Sequence, residues 1–302
     1  MKRVAIMTDR PGWHSAEIRR AFRAHGVEAR YVSLTQCQID LQARTDGLVI
    51  PGFTARLPDG VMVRSIPGGT LEQVTLRLDF LHALGELGVP VCNSARTIER
   101  SVDKAMTSWL LARAGVPTPP AWVTETATQA RAILIRETAA GNELVAKPLF
   151  GSQGEGLLRL DAGSDIPEPR DFGGLWYMQR FVPSARGAWC DWRVFVIGGS
   201  AVAAMARHGR SWINNVARGA RCESTAIDDV MGRLAVDAVR AVGMDYAGVD
   251  IMRDARGNLT VIEVNSIPSW KGLQRVTELN IAQRLVDEFI QRRISPRLEA
   301  VC

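Results

Sequence analysis

Two apolar runs in the last fifth of the chain constrain it most. Asp245-Tyr-Ala-Gly-Val-Asp250 enters the run Ala247 to Met252, and Glu263-Val-Asn265 follows thirteen residues after Asp250. Asp254 to Asn258 reads as a turn and Leu259 to Val264 as a returning strand, so the pattern predicts a β-hairpin. Residues two apart share one face of a strand, which puts Glu263 and Asn265 together, and the pairing brings Asp250 alongside. Two carboxylates and an amide form an oxygen-only donor set, suited to Mg²⁺ rather than Zn²⁺, with waters and substrate phosphates completing the shell. The plain alternative is two surface acids flanking a turn. What stands upstream decides between them.

Upstream, strand and helix patterns alternate. Val4 to Thr8 predicts a strand, Asp9 to Gly12 a loop, and His14 to Ala24 a helix stopped at Gly26. Val27 to Leu34 and Gly47 to Pro51 are further strand candidates, which argues for a small open α/β sheet with ligand-facing loops at strand ends. Leu71 to Leu87 has the spacing of an amphipathic helix. Asn93-Ser94 opens a helical tract that carries Lys104 and ends near Gly115-Val-Pro-Thr-Pro-Pro120, a boundary signal. The short region after it holds a helix (Thr126 to Thr138), strands at Leu144 to Lys147 and Leu157 to Leu160, and a surface loop from Asp161 to Gly174. Strands at Arg193 to Ile197 and Ala201 to Met205 come next, then a polar loop from Arg207 to Arg221. Helices at Asp228 to Val242 and Ile281 to Arg293 flank the hairpin. These segments divide the chain into an α/β domain (1–92), a helical linker (93–120), a small lid (121–182) and a C-terminal subdomain (183–302).

The strongest single motif is Lys147-Pro-Leu-Phe-Gly151-Ser152-Gln153-Gly154-Glu155-Gly156. Its glycines let backbone N–H groups turn inward and approach phosphate closely, and Lys147 at the preceding strand end can reach the same phosphates. It is not a Walker loop, because the lysine precedes the glycines. A flexible hairpin turn would also explain it alone. Tyr177-Met-Gln179-Arg-Phe-Val182 is an extended run suited to present backbone groups to a purine edge. Cys190-Asp191-Trp-Arg193 places a carboxylate and a guanidinium on one face of a strand. Arg207, Asn214-Asn215 and Gly219 follow on the way to the hairpin.

Taken in order, these motifs resemble the ATP-grasp superfamily, and most closely its RimK-type amino-acid ligases, over roughly residues 93 to 290. The first region is similar to the pre-ATP-grasp domain of the same proteins. The resemblance implies an α/β chain whose ATP-grasp fold has two α+β subdomains gripping ATP, preceded by a small open-sheet domain. It also implies an ATP-dependent carboxylate–amine ligase working through an acyl phosphate. Lys104 and Lys147 would contact ATP phosphates, with Ser152, Gln153 and Gly154 in a flap over them. Gln179, Arg180 and Phe181 would meet adenine, and Asp191 the ribose. Arg207 and Asn215 would reach the γ-phosphate. Asp250, Glu263 and Asn265 match the Mg²⁺ ligands, with Glu263 between two ions and Mn²⁺ a possible substitute for Mg²⁺.

Two departures stand out. Arg180 occupies a position where the family often has an acid. Ile213 stands where ribosomal-protein glutamate ligases of this type have an arginine, a role left to Arg210, Arg218 or Arg221. The stretch Val63-Arg64-Ser-Ile-Pro-Gly-Gly with Leu78-Asp-Phe-Leu-His82 resembles instead the branch that adds glutamate to pterin or related C1-carrier cofactors. Arg64, Arg193 and His208 are candidate substrate contacts, and Trp212 and Trp270 fall in loops expected to face the cleft.

Composition excludes several other classes. With 46% hydrophobic and 23% charged residues, the 302-residue chain has a globular balance and room for two or three modest cores. Its net charge of +5 is dispersed along the chain rather than gathered in a tail or helix, which argues for small anions over nucleic acid. Five scattered cysteines lack metal spacing and fit reduced thiols. No signal peptide or membrane-length apolar run is evident, so a cytoplasmic setting is expected. The expected partners are a small-molecule carboxylate and an amino acid. Neither nucleic acid nor a membrane is expected, and the subunit arrangement, a homo-oligomer included, stays open. A phosphotransferase on the same scaffold and a non-catalytic ATP-binding module are the rival readings.

Overall fold

A computed structural model describes residues 1–151, 154–184, 189–216 and 219–295. The chain forms two compact units: one of residues 1–98, 244–246 and the described residues from 266 on, the other of residues 99–243 and 247–265. Contacts therefore divide the chain differently from its sequence segments. The boundary runs inside a helix, and the C-terminal helices belong with the N-terminal sheet.

In the first unit, β1 (Arg3–Met7), α1 (Trp13–Ala24) and β2 (Glu28–Val32) follow the expected pattern. Ser15, Ile18 and Phe22 recur at helical spacing and form the buried face of α1, while Gly26 adopts the left-handed φ of +67° that ends the helix. Gly47 to Pro51 does not join the sheet. Its β4 (Leu48–Val49) pairs only with β3 (Gln38–Ile39) in a two-stranded ribbon. Beside β1 lies β5 (Gly60–Val63), and after α2 (Leu71–Glu86) comes β6 (Val91–Cys92), giving the parallel order β2-β1-β5-β6. A strand inside a parallel sheet needs an unbroken apolar run, because both faces are covered. Val61-Met62-Val63 has one, and all three side chains are fully buried.

The helical tract after Asn93 is two helices rather than one: α3 (Ala95–Val102) and α4 (Lys104–Arg113). Asp103 separates them, its carboxylate accepting from Met106 N at 2.9 Å as the N-cap of α4.

The second unit contains two sheets. β7 (Ala121–Thr124), α5 (Ala127–Ala139), β8 (Leu144–Lys147), β9 (Leu158–Leu160) and β10 (Trp176–Arg180) build the antiparallel order β7-β10-β8-β9. This small layer has a core of its own, with Ala130, Leu134, Leu144, Trp176 and Met178 packed together. The second sheet holds β11 (Cys190–Ile197), β12 (Ser200–His208), β13 (Arg221–Ser224), β14 (Tyr246–Arg253) and β15 (Leu259–Asn265), in the order β13-β12-β11-β14-β15. α6 (Asp229–Val242) packs against it, capped by Asp228 at one end and by Gly243 at φ +88° at the other.

The loop expected from Arg207 starts later and ends sooner. Arg207 and His208 are the last residues of β12, and Arg221 opens an edge strand that the sequence pattern did not suggest. A buried arginine is tolerated at the end of this strand because Asp191 is its cross-strand partner. After the hairpin come α7 (Lys271–Gln274) and α8 (Ile281–Phe289), which runs on as a π-helical turn over Ile290–Ile294. Among the described residues no helix is long and apolar enough to cross a membrane.

Candidate active site

The predicted hairpin is β14–β15, with Asp250 opposite Glu263 and Gly248 opposite Asn265. Facing pairs project on one side of the sheet, so the three candidate metal ligands share a face. Asn265 turns its Nδ2 toward Gly248 O at 3.4 Å, which leaves its oxygen as the outward donor. Among the described residues no three His, Cys, Asp or Glu side chains cluster as a self-sufficient metal site. The donor set is two carboxylates and an amide, which fits Mg²⁺ provided that water and phosphate oxygens supply the remaining positions.

Asp250 is held by side chains from β11 and β12. Arg193 Nε donates to Oδ1 and Nη2 to Oδ2, both at 2.7 Å, in a bidentate pair. Arg207 Nη2 reaches Oδ2 at 3.1 Å, and its Nε donates to Asp191 Oδ1 at 2.5 Å. Burial opposes ionisation of Asp250, but the two guanidiniums prevail and hold its carboxyl below the usual range. Asp191 is paired with Arg207, and burial pushes it up to about 6 against the pull of Arg207 and Arg193.

Two lysines converge on Glu263. Burial brings Lys147 down to about 8; the nearby Glu263 charge opposes that shift, Lys104 adds to it and Asp250 opposes it. Lys147 Nζ donates to Gln179 Oε1 at 2.6 Å. Gln179 is 2% exposed, and its buried Nε2 has no hydrogen-bond partner among the described residues. An orphaned buried donor beside a lysine is an unmet demand for an acceptor, as a nucleotide would present. Lys104, also lowered by burial, donates from α4 to Leu149 O (3.2 Å) and Gly151 O (2.9 Å), at the base of the glycine segment. Gly156 has a φ of +68°, and a Cβ there would stand 2.8 Å from Pro148 Cγ, so the turn requires glycine. Ser152 and Gln153 lie outside the described residues.

Several expected roles change. Arg207 is 4% exposed and committed to two carboxylates, so it acts on Asp250 and Asp191 rather than standing free in a loop. Asp191 is buried against it. Arg193, a candidate substrate contact, is the clamp on Asp250. The backbone N–H groups of Arg180 and Phe181 already donate to Pro120 O and Glu143 O, leaving their carbonyls to meet a base. The Arg180 side chain turns to the buried Glu137 of α5 (2.6 Å), an acid that nothing in the sequence pattern singled out. The Phe181 ring stands edge-on to Trp212 at 6.0 Å, under the Arg159 guanidinium at 4.2 Å. His208 pairs with Glu223 at 3.4 Å, and Arg221 with the same carboxylate at 3.1 Å. Arg218 lies outside the described residues. Asn215 follows Asn214, whose Nδ2 donates to Arg207 O.

Arg64 belongs to the first unit. Its Nη1 donates to Tyr246 OH (3.4 Å), its Nη2 to Pro268 O (3.2 Å), and its guanidinium lies 4.7 Å from the Trp270 ring. Those contacts engage both terminal nitrogens of this candidate substrate contact, while its buried Nε has no hydrogen-bond partner among the described residues. Trp270, expected at a cleft, is fully buried; its ring meets His14 edge-on, and His14 Nε2 accepts from the N–H groups of Trp270 and Lys271. Burial first, then Arg64 and Lys271, bring His14 down to about 4 and keep it a neutral acceptor.

Residues 101–289 match the model of the RimK-like ATP-grasp domain. The chain is 36% identical to the tetrahydromethanopterin:alpha-L-glutamate ligase of Methanococcus maripaludis, over 76% of this chain and 77% of that one. It is 30% identical to a probable alpha-L-glutamate ligase of Hydrogenovibrio crunogenus, over 91% and 90% of the two chains. In fold it is similar to the ATP-grasp ligase PsnB, solved with a minimal precursor, Mg and ADP, with a TM-score of 0.72 at 22% identity and 96% coverage of both chains. The chain belongs to the RimK-like ATP-grasp family and is an ATP-dependent ligase that forms carbon–nitrogen bonds, on a fold that binds ATP with Mg²⁺.

Proposed function

We propose that this ligase joins the amino group of glutamate, or a similar acidic amino acid, to a carboxylate on a pterin-type or related C1-carrier cofactor. The observation that carries the site assignment is the Asp250–Glu263 cross-strand pair with Asn265 beside it, in the same unit as the Lys147–Gln179 pair with its unpartnered buried donor. The relatives named tetrahydromethanopterin:alpha-L-glutamate ligase support the choice of acceptor. Ile213, in place of the arginine of ribosomal-protein ligases, favours a small-molecule acceptor over a protein terminus.

In this reading an acceptor carboxylate oxygen attacks the γ-phosphorus of ATP. The bond to the β–γ bridging oxygen breaks, ADP leaves, and an acyl phosphate forms. The amine nitrogen then attacks the acyl carbon, phosphate departs with the carbon–oxygen electrons, and the ammonium proton is lost to solvent. Lys104 and Lys147 place positive charge around the transferring group. Gln179, Arg180 and Phe181 form the base pocket, Gln179 through its side-chain donor. Arg207 and Arg193 position Asp250, and Asn215 lies on the loop toward the γ-phosphate. The 151–156 segment serves as the flap that keeps water from the acyl phosphate. Asp250, Glu263 and Asn265 would hold Mg²⁺, two ions in this reading, and Mn²⁺ would substitute. The metal supplies neutralisation of phosphate charge.

The acceptor is identified by presenting ATP, Mg²⁺ and glutamate with pterin-type, flavin-type and peptide carboxylates separately and reading the products by mass spectrometry. The expected result is a glutamyl increment on the pterin-type acceptor. An increment confined to peptides would reject the proposed substrate class.

A further inference from the structure

We propose that the outer edge of β2 and the arginines of α1 beside it form a docking site for an extended acidic peptide, which adds to the first sheet as a further strand. The site lies wholly within the first unit.

The backbone of β2 is half open. It is the outermost strand of the order β2-β1-β5-β6. Along one side of a parallel pair, only alternate residues of a strand turn their hydrogen-bonding groups to the neighbour. Glu28 N donates to Lys2 O at 3.0 Å and Val32 O accepts from Thr8 N at 2.8 Å, so Glu28, Arg30 and Val32 face β1. The N–H and C=O groups of Ala29 and Tyr31 point away from the sheet, and among the described residues they have no hydrogen-bond partner. Such an edge is a template for strand addition.

The surroundings select the charge of the added strand. A groove of about 640 Å³ runs beside the edge, lined by Arg19 and Arg23 of α1 and by Ala29, Arg30 and Tyr31 of β2. The one acid that lines it, Glu28, is already taken by Arg30 at 2.5 Å and Arg3 at 3.4 Å. Arg20 is paired with Glu17 at 2.8 Å, whereas the exposed Arg19 and Arg23 pair with no acid among the described residues. The Arg19 guanidinium stands 4.9 Å from the centre of the Tyr31 ring, so α1 flanks the face to which Tyr31 projects. Arg19 and Arg23 are one turn apart, about 6 Å along the helix axis. Alternate side chains on one face of a strand recur about every 7 Å. Acids at alternate positions of a peptide can therefore meet both arginines while its backbone pairs with Ala29 and Tyr31.

Other occupants satisfy only part of this site. Antiparallel pairing with a second copy would bring Arg19 and Arg23 of each chain toward those of the other, and like charges across a strand pair are destabilising. A phosphate backbone offers acceptors to the two N–H groups and no donors to the two carbonyls. A neutral strand would pair with the edge and leave the arginines unmatched.

The test is fluorescence anisotropy of a dye-labelled peptide of alternating Glu and Thr, added to the full-length protein without ATP. Binding is expected, weakening as salt is added. The double variant Arg19→Gln, Arg23→Gln is expected to bind about ten-fold more weakly, with fold and ATP turnover unchanged because both positions are exposed on the helix. Two further peptides, N-methylated at the Glu amides or at the Thr amides, keep the charge of the first. An added strand turns one set of amides to β2 and the other to solvent, so one of the two is expected to bind and the other not. Equal binding of both would mean that charge alone attracts the peptide and would overturn the proposal. Undiminished binding by the double variant would place the peptide elsewhere on the protein and overturn it as well. So would no binding of the parent peptide, or equal binding of oligothymidylate. The methylated pair needs no protein variant and decides between strand addition and simple attraction.

Discussion

Asp250→Asn is expected to lose ATP turnover and about 3–5 kcal/mol of stability together, because the substitution removes the counter-charge of two buried guanidiniums. Arg193 gives Asp250 two bonds at 2.7 Å and Arg207 a third contact at 3.1 Å. An amide would accept at one atom and present an N–H₂ to a guanidinium at the other. Denaturant unfolding measures the loss as a lower midpoint at neutral pH. The gap to wild type should also narrow in acid. The folded-state pKa of Asp250 is depressed, so its contribution is present above the unfolded carboxylate value and disappears as pH falls through the folded one. A midpoint unchanged by the substitution would mean that Arg193 and Arg207 find other partners and that the network does not depend on Asp250.

Glu263→Gln separates chemistry from stability. Glu263 stands directly across the hairpin from Asp250, and among the described residues its carboxylate makes no hydrogen bond or close ion pair, only the longer-range attraction of Lys104 and Lys147. Its substitution is expected to lower ADP formation about a hundred- to a thousand-fold while leaving stability within about 0.5 kcal/mol of wild type. ADP release and thermal unfolding measured on one preparation give both numbers. Equal destabilisation by the two substitutions would contradict the distinction between a free ligand and an anchored one.

The sequence was most informative where local pattern and chemistry coincide. Apolar runs separated by Asp254 to Asn258 specify the hairpin, and a spacing of two specifies that Glu263 and Asn265 share a face. The glycines after Lys147 specify a turn that a side chain would block at Gly156. What stayed hidden depends on contacts between distant strands. Arg193 reads as a candidate substrate contact on the same strand face as Asp191 until β11 is set beside β14, and Arg207 reads as a loop residue until β12 pairs it with Asp191. Glu137 looks like any helix acid until Arg180 arrives from β10. Gly47 to Pro51 pairs with Gln38–Ile39 and not with the sheet, although its apolar run Leu48-Val49-Ile50 is as long as Val61-Met62-Val63, so run length does not tell the two apart. Arg64 and Trp270 illustrate the same limit: each has the chemistry of a binding residue, and each is occupied by the other.

The most direct measurement of the central claim counts ADP and amide in the same reaction of the wild-type protein with ATP, Mg²⁺, glutamate and a pterin-type carboxylate. An acyl-phosphate ligase gives one amide for each ADP, and omitting the amine reduces both. ADP or a stable phosphorylated product accumulating without amide would contradict it.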